Sequence, residues 1–292
     1  MLNDGITYMH EHTTIDLSSV KNSEDTNLNC FWQTVNEYKI LYEKGVRNIV
    51  DVTNAGMRRN PIYVKQIADL TNINIIQSTG FYTEKFISGF IANQSIKQIA
   101  NFMINEIEVG IESTDIKAHI IGEIGSSKNG WTLNEKKIFA AAVLAHKATN
   151  KPITTHTTLG TFAIEQVHFF KKNSVDLSKV VIGHLDLNPD IDQILNVLEQ
   201  GVYIEFDTVG KQNYLPDLTR INMLKEIEKR GYVDQVFLSM DVTRRSSLTH
   251  FGGIGYAYLL DVFVPMMLEH GISDSFINKM LAINPQKFMN RN

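Results

Sequence analysis

The sequence predicts an α/β fold, a single-domain (β/α)8 TIM barrel over residues 1–292. Short apolar runs alternate with longer amphipathic stretches, and eight of the short runs have strand length. Six metal-type side chains, His10, His12, Glu123, His156, His184 and Asp241, each fall where such a run ends. A parallel barrel gathers the carboxyl ends of its strands at one mouth. A doubly wound open sheet has no comparable reason to place metal-type residues on so many separate units.

In chain order the strands are expected near Ile6–His12, Arg47–Thr53, Ile73–Thr79, His119–Glu123, Ile153–His156, Val180–His184, Val202–Phe206 and Val236–Asp241. Helical patterns separate them at Phe31–Lys44, Pro61–Thr71, Ile96–Ser113, Glu135–Thr149, Phe162–Lys172, Ile191–Glu199 and Arg220–Arg230. Tyr256–Glu269 and a short helix near Asp274–Ala282 follow the last strand. Gly45, Gly201, Gly231 and Gly271 stand just after helical patterns, where a left-handed C-cap is expected.

A chain of 292 residues, 43% of them apolar, can bury a large core, and no Pro-, Gly- or Ser-rich linker divides it. The formal charge of −4 and pI near 6.1 give no broad basic field for nucleic acid. No stretch approaches the roughly 20 apolar residues of a membrane span, and the start of the chain does not have the pattern of a signal peptide. The single cysteine, Cys30, excludes an internal disulfide and is expected to be a small buried apolar residue. These features predict a cytoplasmic protein acting on a small molecule, with no nucleic-acid or membrane partner. Homo-oligomer formation is compatible with them.

His10 and His12 are two residues apart on a strand, so both imidazoles face one side and can grip one ion. Four imidazoles and two carboxylates suit zinc or a similar borderline divalent ion, yet exceed one tetrahedral catalytic site with an open position. Two divalent ions, zinc for preference, are therefore expected. Such a pair shares a hydroxide, lowers the pKa of bound water to about 7 and polarises the scissile oxygen, so no protein nucleophile is needed. Asp241 can accept the hydroxide proton and return it to the leaving group, which makes it the expected catalytic residue.

The opening Gly5-Ile6-Thr7-Tyr8-Met9-His10-Glu11-His12, the strand-end histidines and Ser239-Met240-Asp241 resemble the phosphotriesterase family of the amidohydrolase superfamily across essentially the whole chain. Thr155-His156-Thr157, Gly183-His184, Phe206-Asp207-Thr208 and Asp241-Val242-Thr243-Arg244-Arg245-Ser246 resemble its bacterial phosphotriesterase homology protein branch. The resemblance implies that His10, His12 and Asp241 hold a buried ion, His156 and His184 an exposed one, and Glu123 bridges them. Better-known members carry a carbamylated lysine in place of that glutamate. Glu123 therefore supports the homology-protein branch and weakens an expectation of phosphotriester hydrolysis, because a family name does not carry its chemistry into every pocket.

Substrate selection should lie on loops after the strands. Arg244 and Arg245 follow Asp241 closely and could grip a phosphate or carboxylate bidentately. Tyr82, Lys211 and Tyr214 could line the mouth, and Gly252-Gly253-Ile254-Gly255 is expected to be a mobile wall. His119, His146, His168 and His270 are expected in surface or packing roles, and Arg58-Arg59 and Lys171-Lys172 on solvated faces. The expected activity is hydrolysis of a lactone or carboxylic ester of a small, perhaps phosphorylated, molecule, with a phosphoester second. Ile121-Gly122-Glu123-Ile124-Gly125 is also similar to TatD-type metal-dependent nucleases, but His12 is followed by Thr13 and Thr14 rather than by their pattern. The alternative outside enzymology is a binding protein stabilised by its metals.

Overall fold

Eight parallel strands follow one another in sequence order: β1 (Ile6–Glu11), β2 (Val46–Asp51), β3 (Asn74–Thr79), β4 (Ile120–Ser126), β5 (Ile153–Thr157), β6 (Val180–Ile182), β7 (Tyr203–Phe206) and β8 (Val236–Leu238). The structure is a computed structural model describing residues 1–87, 89–128 and 130–290. Main-chain ladders join each strand to the next. Across the seam, the His10 amide donates to Ser239 Oγ at 3.1 Å, and Glu11 accepts from Ser239, Met240 and Val242. The result is a nearly closed barrel, as the sequence predicts.

Helices α1 (Phe31–Glu43), α2 (Pro61–Thr71), α3 (Ile96–Glu108), α4 (Leu133–Thr149), α5 (Ala163–Lys172), α6 (Ile191–Leu198) and α7 (Asp217–Lys229) fill the crossovers. A π-helical turn at Leu259–Phe263 leads into α8 (Val264–Glu269). Local chemistry sets their starts. Asn60 caps α2 ahead of a first-turn proline, and Ser95 and Thr132 form capping boxes with Gln98 and Glu135 on α3 and α4. The four glycines expected after helices all take positive φ, between 84° and 93°. Among the described residues, no helix is long and apolar enough to cross a membrane.

The sequence-based boundaries need three corrections. Helix α3 ends at Glu108, short of Ser113, because the chain doubles back at Gly110, where a Cβ would lie 1.9 Å from the Thr114 carbonyl. A two-residue antiparallel pair, Ile15–Asp16 with Asn27–Leu28, was not anticipated. At the other end, helix Asn284–Met289 extends the expected final helix and brings Phe288 against Tyr203 and Phe237, ring centroids 5.0 and 5.4 Å apart. Phe288 thereby joins Met9, Val50, Ile76, Ile120 and Val181 in a separate apolar cluster.

Arg59 also departs from expectation. Its guanidinium is buried and forms a two-armed pair with Glu106, while Nε reaches Glu112 Oε1 at 3.0 Å. A guanidinium can be buried when its charge and donors are met in this way. Its neighbour Arg58 and the Lys171-Lys172 pair are exposed, as expected.

Candidate metal centre

His10 lies near the end of β1 and His12 just beyond it; Glu123 is in β4 and His156 in β5. His184 and Asp241 follow β6 and β8, both with left-handed backbone, φ 60° and 47°. The loops thus turn back toward the mouth at those two residues. Glu123 stands at the centre. Its Oε2 is 3.6 Å from His10 Nε2, 3.3 Å from His156 Nδ1 and 3.5 Å from His184 Nε2, and its Oε1 is 3.5 Å from His12 Nε2. Asp241 Oδ1 is 3.2 Å from His12 Nε2 and 4.0 Å from His10 Nε2. All six expected side chains meet; five are buried and His156 is half-buried.

A second layer orients the rings. His10 Nδ1 is 2.9 Å from Glu205 Oε2, His12 Nδ1 is 2.8 Å from Thr53 Oγ1, and His184 Nδ1 is 2.8 Å from Asp207 Oδ1. With the outer nitrogens held in this way, Nε2 of each ring turns toward Glu123, the arrangement that prepares imidazoles as ligands. His10 Nε2 and Glu123 Oε2 are buried without a hydrogen-bond partner. Buried polar atoms are ordinarily satisfied, so two orphaned donor atoms aimed at one point fit a cation. His10, His12 and Glu123 form one compact ligand group and Glu123, His156 and His184 another, with Glu123 common to both; His10, His184 and Asp207 form a third.

Two glycines make the approach possible. A Cβ on Gly122, at φ +136°, would lie 2.1 Å from the Thr154 carbonyl. One on Gly183 would lie 2.4 Å from the Thr155 carbonyl and 3.2 Å from Glu205 Oε2. Both positions therefore exclude side chains.

In the metal-free protein, burial opposes ionisation of Glu123, but the surrounding imidazoles, His10 foremost, hold its carboxyl well below the usual range. Asp241 is likewise kept low against burial by Lys211 and His12. Burial lowers the basicity of His12 and His184, yet their carboxylate partners raise them to about 9 and about 10. His10 is raised well above its ordinary value, chiefly by Asp207 and Glu205 acting against burial. For His156, burial and the neighbouring His184 prevail and its pKa falls. Burial pushes Glu205 up to about 7, with His10 opposing.

Residues 2–289 match the phosphotriesterase family. The chain belongs to that family. It is 43% identical to the phosphotriesterase homology protein of Escherichia coli over 97% of each chain. It is 31% identical to the N-acetyltaurine hydrolase of Dictyostelium discoideum, over 98% of this chain and 80% of that one. The crystal structure of the E. coli protein, complexed with phosphate in its active site, superimposes with a TM-score of 0.97 at 42% identity, covering 98% of this chain and 99% of that one. The lactonase Lmo2620 from Listeria monocytogenes superimposes with a TM-score of 0.94 at 28% identity, covering 99% and 95%. These phosphotriesterase-family relatives include hydrolases of different bonds, and this chain is a hydrolytic enzyme.

Of the side chains expected at the family's substrate-selecting mouth, two touch the ligand set. Tyr82 OH lies 3.1 Å from His156 Nδ1, and Lys211 Nζ is hydrogen-bonded to Asp241 Oδ2. Arg244 instead pairs with Asp25 at 3.3 Å, and Arg245 lies over the Phe251 ring at 5.3 Å; both are exposed, as is Tyr214. The glycine turn after β8 is more closely tied than a mobile wall. Gly253 and Gly255 donate to the Leu248 and Ser247 carbonyls, and Glu37 accepts from Thr249 and Tyr256 on either side. Sequence reasoning missed Thr53 and Glu205 and gave Asp207 no role. Alternation in β7 was the available signal, since Tyr203, Glu205 and Asp207 share one face.

Proposed function

We propose that this chain is a binuclear metal-dependent hydrolase, zinc being the expected ion, that cleaves the carbonyl–heteroatom bond of a lactone or carboxylic ester carrying an anionic group. The convergence of four imidazoles on Glu123, with Asp241 against His12 and two ligand-type atoms left unpaired, carries this reading. Charge balance supports two ions. Glu123, Asp241, Asp207 and Glu205 supply up to four buried negative charges, which two dications would offset. In this reading His10, His12 and Asp241 would hold one ion and His156 and His184 the other, with Glu123 available to both.

When bound, such ions supply an activated water and a Lewis acid for the scissile oxygen. The protein contributes position and proton handling. Asp241 directs Oδ1 toward His12 and Oδ2 toward Lys211, so one oxygen can remain a ligand while the other takes and returns a proton. Tyr82, against His156, presents a hydroxyl beside the entrance. Glu123 shields neighbouring imidazoles from one another and keeps Nε2 of His10, His12 and His184 pointed inward.

An anionic substituent on the substrate is supported by the cations of the mouth. Lys21 has a lowered pKa, from burial and then from Lys85 and Arg244, opposed by Asp241. Lys211, bonded to Asp241 Oδ2, places a cation at the ligand set although the chain is acidic overall. We assign Arg244 and Arg245, on the loop after β8, to that substituent. The named activities of the relatives, a lactonase and an N-acetyltaurine hydrolase, both release an acyl group to water, which favours carbonyl over phosphorus chemistry. The absence of a membrane-length helix among the described residues and the lone Cys30 are compatible with a one-domain cytoplasmic enzyme.

A matched panel of lactones, carboxylic esters, N-acyl amides, phosphotriesters and phosphomonoesters, offered to zinc-loaded protein, tests the proposal through kcat/KM. Lactones or esters with an acidic substituent should lead. A phosphoester or an N-acyl amide as best substrate would overturn the choice of bond, the amide in favour of the chemistry named for the N-acetyltaurine hydrolases.

A further inference from the structure

Glu205 is a fully buried carboxylate in the barrel interior that touches neither the entrance nor the reacting groups, and its one hydrogen bond goes to His10. Strand alternation stacks Tyr203, Glu205 and Asp207 on the inward face of β7, with Tyr203 in the apolar cluster and Asp207 beside His184. One Glu205 oxygen, Oε2, is 2.9 Å from His10 Nδ1; the other, Oε1, has no hydrogen-bond partner. A buried carboxylate is tolerated where a neighbouring group offsets its charge, and the His10 ring is the neighbour that Glu205 holds.

The geometry points to Glu205 as a positioning residue that locks the His10 ring with Nε2 toward Glu123 and Asp241, and thereby governs how firmly an ion is held on the His10 side of the centre. This rests on the metal-centre reading above. With Oε2 as acceptor, the contact puts the proton on His10 Nδ1 and leaves the Nε2 lone pair free. Asp207 Oδ2 also lies 3.3 Å from His10 Nδ1. Asp207, however, is committed to His184, taking its Nδ1 at 2.8 Å and its amide at 3.0 Å. Glu205 makes the shorter contact to His10 and hydrogen-bonds to none of the other ligands; its charge also reaches His184, but only across space. Its effect should therefore fall on one ion and spare the other, since outer-layer partners of histidine ligands typically alter metal affinity by about 10- to 100-fold.

The test is zinc competition against a chromophoric chelator for the wild-type chain and Glu205→Leu, which removes the acceptor, with metal content read per chain. Two ions are expected in the wild type. In Glu205→Leu one should bind about 10- to 100-fold more weakly while the other is unchanged. Unchanged affinities, or equal weakening of both ions, would overturn the assignment. If the wild type takes up only one ion, the two-ion reading fails and Glu205 is judged on that ion alone: an unaltered Kd in the variant rejects it. Nitrogen-15 NMR of histidine-labelled, zinc-loaded wild type decides the matter even if the variant does not fold. His10 should carry its proton on Nδ1, and a proton on Nε2 overturns the proposal.

Discussion

Glu11 crosses the barrel seam to accept the Met240 amide at 2.7 Å, one residue before Asp241. The same carboxylate takes the Val242 amide at 3.1 Å and the Ser239 hydroxyl at 2.9 Å. The residue between His10 and His12 therefore fixes the main chain on both sides of Asp241. Glu11→Gln places an NH2 group where an acceptor is needed. Loss of charge-assisted hydrogen bonds should lower stability by about 1.5–3 kcal/mol and reduce turnover by displacing Asp241. Urea denaturation and kcat measured together check this; full turnover with reduced stability would confine Glu11 to closing the barrel.

The protein loaded with excess zinc should retain close to two divalent ions per chain by elemental analysis. Glu123→Gln should lower that number, because Glu123 is shared by the His10–His12 group and the His156–His184 group. A wild-type stoichiometry of one would remove its bridging role.

The barrel was legible in the sequence because each β-strand had to be apolar on both faces, and the metal-type residues stood out at the ends of those runs. His10 and His12 illustrate the limit. Simple alternation places them on one face, but the β1–β2 register shifts between Tyr8 and Glu11. Met9 can thus join the inner apolar cluster while both histidines reach Glu123. Side-chain pairing was less legible. Arg59 beside Arg58 looked like a solvated pair, and only the fold brings Glu106 to it from 47 residues away. Glu205 and Thr53 were hidden for the same reason, since their partners lie on other strands.

Metal removal should make stability newly dependent on pH. Without metal, His12 and His184 have pKa values of about 9 and about 10, above the ordinary 6.5. Raised basic groups stabilise the fold fully below the unfolded pKa and lose that contribution as pH rises through the folded values. The Tm of chelator-treated protein should therefore decline between about pH 7 and pH 10, whereas zinc-loaded protein, whose ligand imidazoles are already deprotonated, should decline less. Parallel curves for the two forms would show that these histidines do not govern the difference.

Arg244→Lys and Arg245→Lys test recognition of an anionic substituent. A lysine retains the charge but not the planar fork. If either arginine leaves its present contact to grip the substrate, kcat/KM for an anionic substrate should fall about 10- to 100-fold more than for its neutral analogue. Equal losses would make Asp25 and Phe251 the arginines' working partners, and the pair a brace for the loop.

Asp241 and Lys211 form the closest ion pair at the mouth, and their coupling can be measured. Asp241→Asn should reduce kcat by about 10²-fold or more, the scale of a positioned acid–base group, with the fold preserved. Lys211→Met removes the cation beside Oδ2 and should cost about tenfold, as expected for one charge-assisted hydrogen bond. If Lys211 acts through Asp241, adding Lys211→Met to Asp241→Asn should cost little more, because residues working as a unit are non-additive. Losses that multiply in the double variant would place Lys211 on the substrate independently of Asp241. Metal analysis of all three variants separates these outcomes from loss of an ion, which would remove turnover without reporting on the pair.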